Sequence, residues 1–245
     1  IRNVEQMLRS ERMIAWGELS AKSSHMIGNR VFALKGDVNE LAHLLDSPSP
    51  DVGELRQLQR DLWTNLMRVE EILQDFRDFL TATQLTKTAG DLNQMIAETA
   101  REVFPRRSPV TLTMSLDPNL PPVLMDANKL RRAVSELVEN SMNYMEQGAL
   151  RVETSLAGDE DRRRAKAPAG KNYVRLVLED TGPGVRKEQK EQIFQPFFSG
   201  RVKGMGLGLS IVKGIVDAHG GGVFEAGEEG KGAKFVILLP AVERP

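Results

Sequence analysis

Cysteine is absent from the 245 residues, which excludes disulfides and thiolate metal sites and makes a reducing compartment the simplest fit. Histidine is scarce: His25, His43 and His219 lie far apart in the chain and do not suggest a zinc cluster. Neither sign of charge is in excess. With 33 Lys and Arg against 34 Asp and Glu the net charge is −1, so the basic surplus of a nucleic-acid-binding domain is missing. No apolar run approaches the roughly 20 residues of a membrane span, and no signal-peptide pattern is read at the start. The chain begins at Ile1, so we expect a cytoplasmic fragment without membrane contact of its own, preceded by a sensor or membrane segment. Glycine and proline are thin over the first 85 residues, at Gly17, Gly28, Gly36, Gly53, Pro48 and Pro50, which is a helical composition.

One apolar series in that region runs Ile27, Val31, Leu34, Val38, Leu41, Leu45, in alternating steps of four and three, the seam of a packed helix. It extends back through Ser23, Ser20, Trp16 and Met13. The proline-rich stretch 47–53 breaks it. A second series follows: Leu55, Leu58, Leu62, Leu66, Val69, Leu73, Phe76, Leu80. Two such helices predict an antiparallel hairpin. One hairpin buries too little surface, whereas two copies make a four-helix bundle, so a homodimer is expected. A helix over residues 1–46 is ~69 Å long. Its N-terminal third outruns the second helix and is expected to form a two-stranded coiled-coil lead-in.

From about residue 87 the pattern becomes mixed. Helices are predicted at 91–103, with Asp91 as N-cap, at 127–145 and at 207–219. Strands are predicted at 110–116, 122–125, 149–156, 173–179, 222–226 and 233–239. The polar stretch 157–172 reads as a solvated loop between two strands. The fold class is therefore α+β: an all-α dimeric hairpin over 1–86, then an α/β sandwich over 87–245 with helices on one face of a mixed sheet.

Three motifs carry the chemistry. In Glu136-Leu-Val-Glu-Asn140-Ser-Met-Asn143-Tyr144, the residues Glu136, Asn140 and Asn143 share one helix face, either solvated or a site. Asp180-Thr-Gly-Pro-Gly184 follows a strand rich in Val and Leu. An Asp there can accept a hydrogen bond from an exocyclic amine, and the glycines let backbone approach a ligand. Gly204-Met-Gly206-Leu-Gly208 opens a helix, whose free N–H groups suit phosphates.

Together these residues resemble the ATP-binding domain of histidine kinases, within the larger group shared with gyrase-type and Hsp90-type ATPases. ELVEN (136–140) matches the asparagine box and DTGPG (180–184) the first glycine box. IFQPFF (193–198) matches the phenylalanine box and GMGLGLSIVKGIVDAHGG (204–221) the second glycine box. ERMIAWGELSAKSSHMIGN (11–29) is similar to the family's histidine box, and residues 72–76 to the end of its second helix. The resemblance implies that Asp180 recognises the adenine amine and that Asn140 holds Mg²⁺ bridging the phosphates. It implies that Glu136 polarises water or assists near the γ-phosphate, that Asn143 contacts phosphate and that Tyr144 packs by the nucleotide. Gly182, Gly184, Gly204, Gly206, Leu207 and Gly208 would shape the pocket. Residues 185–203 would form a lid anchored by Phe194, Phe197 and Phe198, with Arg201 and Lys203 reaching phosphates. Plain core packing is the other reading of the three phenylalanines. His219 reads as structural, at a helix end where the dipole favours a cation, and His43 as a surface residue.

His25 lies about 200° around the helix from the Ile27 seam and so faces solvent. Alone it reads as a surface histidine. The resemblance implies the phosphoacceptor, with Asn29 at the position that aligns water for dephosphorylation. The sequence departs from the family's pattern at Met26, where an acid usually orients the ring and takes its proton, and at Arg30, usually proline. Neither Lys22 nor Asn29 supplies a carboxylate. Asn143 stands where Lys is frequent and Met205 where Thr is frequent.

The leading expectation is a sensor histidine kinase: Mg-ATP-dependent autophosphorylation of His25, then phosphotransfer to a response-regulator aspartate. The alternative is an ATP-binding regulatory dimer, acting mainly as phosphatase or scaffold, which Met26 favours. An ATP-dependent clamp or serine kinase of the same superfamily is opposed by the histidine box.

Overall fold

The computed structural model describes residues 2–105, 107–168, 171–198 and 206–242, with side chains from Ser24 onward. The chain divides into two compact units, residues 1–78 and 79–245. The division expected at residue 86 falls inside the second.

In the first unit α1 (Arg2–Leu45) and α2 (Val52–Thr81) are joined by a short loop. Asp51 starts α2: its Oδ1 accepts from the Gly53 N–H at 2.6 Å. Asn65 donates to Asp37 at 2.9 Å and ties the two helices. The expected seam divides into two rows. Ile27, Leu34 and Leu41 are half-buried, and Leu58 and Ile72 are buried. Val31, Val38 and Leu45, one heptad apart, stay exposed, as do Leu66 and Leu73. Asn65 and Ile72 occupy interior positions where the sequence pattern favoured Leu66 and Leu73. A heptad repeat carries two apolar rows, and the sequence alone does not say which row meets the helix of the same chain.

The second unit runs β1 (Thr88–Gly90), α3 (Leu92–Val103), β2 (Val110–Leu116), β3 (Val123–Met125), α4 (Ala127–Tyr144), β4 (Gly148–Leu156), α5 (Asp159–Arg164) and β5 (Tyr173–Asp180). Two short 3-10 turns follow, Lys187–Gln189 and Gln192–Phe194, then α6 (Gly208–Ala218), β6 (Gly222–Glu225) and β7 (Lys234–Pro240). The main sheet has the order β2-β4-β5-β7-β6, with β2 parallel to β4 and the other pairs antiparallel. Side chains alternate across it. Leu150 and Val152 on β4 and Val174, Leu176 and Leu178 on β5 are buried, as are the apolar stripes of α3, α4 and α6. Asp91 and Asp126 cap α3 and α4 through the N–H groups of Gln94 and Lys129, each cap contributing about 1 kcal/mol.

Two differences from the sequence-based expectations stand out. Residues 157–172 are not simply a solvated loop. Within them α5 forms, and Ala157, Ala165 and Ala167 pack against Tyr173, Val177, Val236 and Leu238. The Arg164 guanidinium lies 4.6 Å from the Phe224 ring centroid, and Arg175 pairs with Asp161 at 2.8 Å. Small alanines let this polar segment approach the sheet, and the arginines reach back over it. The second difference is β1, which pairs antiparallel with β3 and had no alternation of its own to reveal it.

His219 is structural, as expected, but it is not a cation. It is 4 % exposed. Its Nδ1–H donates to the Ile215 carbonyl at 2.7 Å, and Nε2 accepts from the Asp126 N–H at 3.0 Å. A ring that accepts at Nε2 is neutral. Burial above all pushes its pKa below the ordinary value, against the pull of the Ile215 bond, and Lys87 adds to the depression. Burial works against the Asp126 carboxylate too, but the Thr86 and Lys129 N–H donors outweigh it and hold its pKa low. Thr86, Asp126 and His219 thus knot the segment after α2 to the start of α4 and the end of α6. The unfolded chain protonates His219 near 6.5, the folded chain only at lower pH. This stability is therefore full above the unfolded value and is lost as pH falls toward the folded one. Calorimetry should show the melting temperature falling as pH drops from neutral to about 5.5. His219→Gln should melt lower at neutral pH and with a flatter slope in that window; an equally steep slope would refute the assignment.

Candidate functional site

The site is organised by Asp180, the last residue of β5, 4 % exposed. Its Oδ1 accepts from the N–H of Gly182 at 2.9 Å and of Ala233 at 3.0 Å, and its Oδ2 from the Ser141 hydroxyl at 2.9 Å. An ionised carboxylate has about four acceptor directions. Among the described residues three are filled from within the fold, leaving one on Oδ2 for an external donor. Ser141 was not among the residues singled out from the sequence. Its signal was present: it follows Leu137 by four and Val138 by three, a polar residue on the buried stripe of α4. The backbone around Asp180 is closed by glycines. Gly232, at φ +111°, lies against the Asp180 carbonyl, and Gly184, at φ +72°, is in a left-handed conformation packed on the Glu228 carbonyl. A Cβ fits at neither position.

Beside Asp180 lies a cavity of about 280 Å³. From α4 it is lined by Glu136, Asn140, Asn143 and Tyr144. Glu136 pairs with Arg132 one turn earlier at 2.6 Å, so its carboxylate is held by a guanidinium the sequence reading did not select. Gly208 faces it: a side chain there would run into the Glu136 carboxylate. Gly184 and Gly206 line the cavity as well. Gly182, Phe197 and Leu207 are not on its lining. Leu207 is 1 % exposed and its carbonyl caps the first turn of α6, accepting from Ser210 Oγ at 2.7 Å. Gln189, missed from the sequence, is on the lining.

The segment expected to be a lid begins at the 3-10 turns. Ile193 and Phe194 are buried, and Phe194 packs edge-on against Phe235 at 6.3 Å. Phe198 lines the cavity. Phe197, at φ +67°, donates its N–H to the Gly206 carbonyl at 2.9 Å. Lys190 ties the segment to the end of β6 through an ion pair with the buried Glu225 at 2.7 Å. Arg201, Lys203, Gly204 and Met205 lie outside the described residues. In the hairpin unit, His25 is exposed, with the Asn29 amide 3.3 Å from its Nδ1, and His43 is exposed too.

Two substitutions test the carboxylate. Asp180→Asn removes a charge-assisted acceptor and sets an amide against donors; it should weaken ATP binding by about 1.5–3 kcal/mol, read by titration calorimetry. Ser141→Ala leaves the carboxylate but frees its Oδ2, and should weaken binding by less. Unchanged affinity in Asp180→Asn would rule out its contact with the base.

Residues 125–243 match the family described as histidine kinase-, DNA gyrase B-, and HSP90-like ATPase. The sensor histidine kinase ZraS of Escherichia coli O157:H7 is 30% identical over 239 residues, covering 96% of this chain and 48% of ZraS. Full-length ShkA, solved in complex with AMPPNP, superposes with a TM-score of 0.64 at 22% identity, over 94% of this chain and 47% of ShkA. Histidine kinase ThkA, solved with the response regulator TrrA, gives a TM-score of 0.65 at 23% identity, over 98% of this chain and 66% of that one. The chain spans about half the length of the ZraS sequences it matches. Residues 125–243 thus match the ATPase domain of this family, and the whole chain, a helical hairpin followed by that domain, is similar to the core of the sensor histidine kinase ZraS.

Proposed function

We propose that this chain is the catalytic core of a two-component sensor kinase that transfers the γ-phosphoryl of ATP to His25 and then to an aspartate of a response-regulator receiver domain. The observation that carries the reading is one chain holding both an exposed helical histidine and a cavity built on a buried, three-fold-bonded aspartate. The ZraS relative and the ThkA structure with its response regulator support the same assignment. In it, the free acceptor direction of Asp180 takes the adenine amine, and Tyr144, 43% exposed at the cavity, packs by the base. ATP as substrate puts the chain on the cytoplasmic side.

The residues present fit Mg²⁺. Asn140 offers a neutral hard oxygen in the cavity. Among the described residues no three His, Cys, Asp or Glu side chains are grouped to hold a metal by themselves, and Mg²⁺ characteristically takes its other ligands from phosphate and water. When bound, it supplies charge neutralisation for phosphoryl transfer, where positioning and electrostatics provide most of the catalysis. Glu136, fixed by Arg132, then stands where it orients a nucleophile or water near the terminal phosphate.

Homodimerisation is part of the reading. The exposed rows Val31, Val38, Leu45 and Leu66, Leu73 are apolar surface that a second hairpin would cover. Val38→Asp with Leu66→Asp should turn a dimer into a monomer in light scattering, with ATP binding by the second unit unchanged. A second function, a regulatory dimer acting mainly as phosphatase or scaffold, is favoured by Met26 in place of an acid. Incubation with γ-labelled ATP separates the two. We expect acid-labile label on the parent, none on His25→Gln, and faster labelling of Met26→Glu, since a carboxylate beside the ring adds base catalysis worth up to ~10²–10⁴-fold. Label persisting on His25→Gln would refute the acceptor. ATP binding without label on the parent and Met26→Glu would favour the regulatory dimer.

A further inference from the structure

The residue after His25 is Met26, which neither accepts nor donates strongly. Yet Nδ1 of His25 has a polar neighbour, the amide of Asn29 one helical turn on, at 3.3 Å. Residues i and i+4 face each other on a helix, so backbone geometry sets this pairing. We propose that Asn29 is the positioning residue for the His25 ring: it holds Nδ1 and so leaves Nε2 as the outward nitrogen. The proposal rests on the histidine-kinase reading and adds to it the means by which the ring is oriented without an acid at position 26.

The chemistry suits an amide. For Nε2 to attack, its lone pair must be free, and the ring proton sits on Nδ1. With the amide turned over, so that Oδ1 rather than Nδ2 faces the ring, Asn29 accepts that Nδ1–H. In the transfer the Nε2 lone pair forms the N–P bond, the bond from the γ-phosphorus to its bridging oxygen breaks, and ADP leaves with that electron pair. The proton stays on Nδ1 and then passes to water. Nδ1 is then bare, and the Nδ2 end of the amide, which is the end facing Nδ1 in the structure at 3.3 Å, donates to it. A carboxylate pairs only with the protonated ring, whereas an amide, whose two ends are close in shape, pairs with both. An amide is no base, so it orients the ring without taking its proton.

The test uses the whole chain, ¹⁵N-labelled at histidine. With three histidines the ring signals are few, and His219, with Nδ1–H donated to Ile215 and Nε2 accepting, is an internal standard for one tautomer. Asn29→Asp, which only accepts, should shift the His25 ring toward the His219 pattern relative to the parent. Asn29→Ala should give the pattern of a free side chain. Labelling from γ-labelled ATP should be about five- to tenfold slower in Asn29→Ala, the loss of one hydrogen bond, and at least parental in Asn29→Asp. Identical ring signals in Asn29→Asp and Asn29→Ala would overturn the proposal. So would a labelling rate unchanged in Asn29→Ala with only dephosphorylation slowed. If the ring signals respond as expected and no protein labels, the orienting contact stands and the acceptor reading falls.

Discussion

A buried carboxylate must find partners, and in the second unit the partners of Asp180 define the site. Its three donors come from α4, from the turn after β5 and from the residue just before β7. Leaving such a group unsatisfied would cost several kcal/mol, so these elements are held to one arrangement. The same arrangement leaves a single acceptor direction open beside the cavity. In the proposed function, structure and recognition thus rest on one side chain. The glycines answer close backbone packing beside it: Gly232 lies against the Asp180 carbonyl and Gly184 on the Glu228 carbonyl, where a Cβ does not fit.

Around that centre the unit is tied by further polar links, one within α4 and others across elements. Arg132 holds Glu136 along α4, Lys190 joins the segment after β5 to Glu225 of β6, and Asp126 joins Thr86, α4 and His219. Of these residues, Glu136 lines the cavity. The chain leaving α2 is bound into this scheme, since Lys129 donates to Thr81 at 2.7 Å and Lys87 to the Ala218 carbonyl at 2.9 Å. The segment between the helical hairpin and β1 therefore belongs mechanically to the ATP-binding unit, which is why that unit begins at Phe79.

Much of this was legible in the sequence because it follows from periodicity and special residues. The helices 91–103, 127–145 and 207–219 and the long strands came from their apolar patterns, and the glycine motifs marked where backbone bends tightly. What stayed hidden depends on pairing between distant segments. Three residues at Thr88–Gly90 become a strand only against β3. The run Asp159–Arg164 looks solvated until its alanines meet Tyr173 and Val177. Ser141 and Arg132 are ordinary helix residues until Asp180 and Glu136 stand opposite them. His219 looked like a dipole-stabilised cation, and only the Asp126 N–H at its Nε2 fixes it as neutral.

The account's central claim is that the open acceptor direction of Asp180 reads an adenine amine. Calorimetric titration of the whole chain with Mg-ATP and then Mg-GTP tests it most directly, because guanine places a carbonyl where adenine has its amine. Two acceptors facing each other in a buried site leave both unpaired, so the account predicts GTP binding weaker by on the order of 100-fold or more. Equal affinities for the two nucleotides would contradict it.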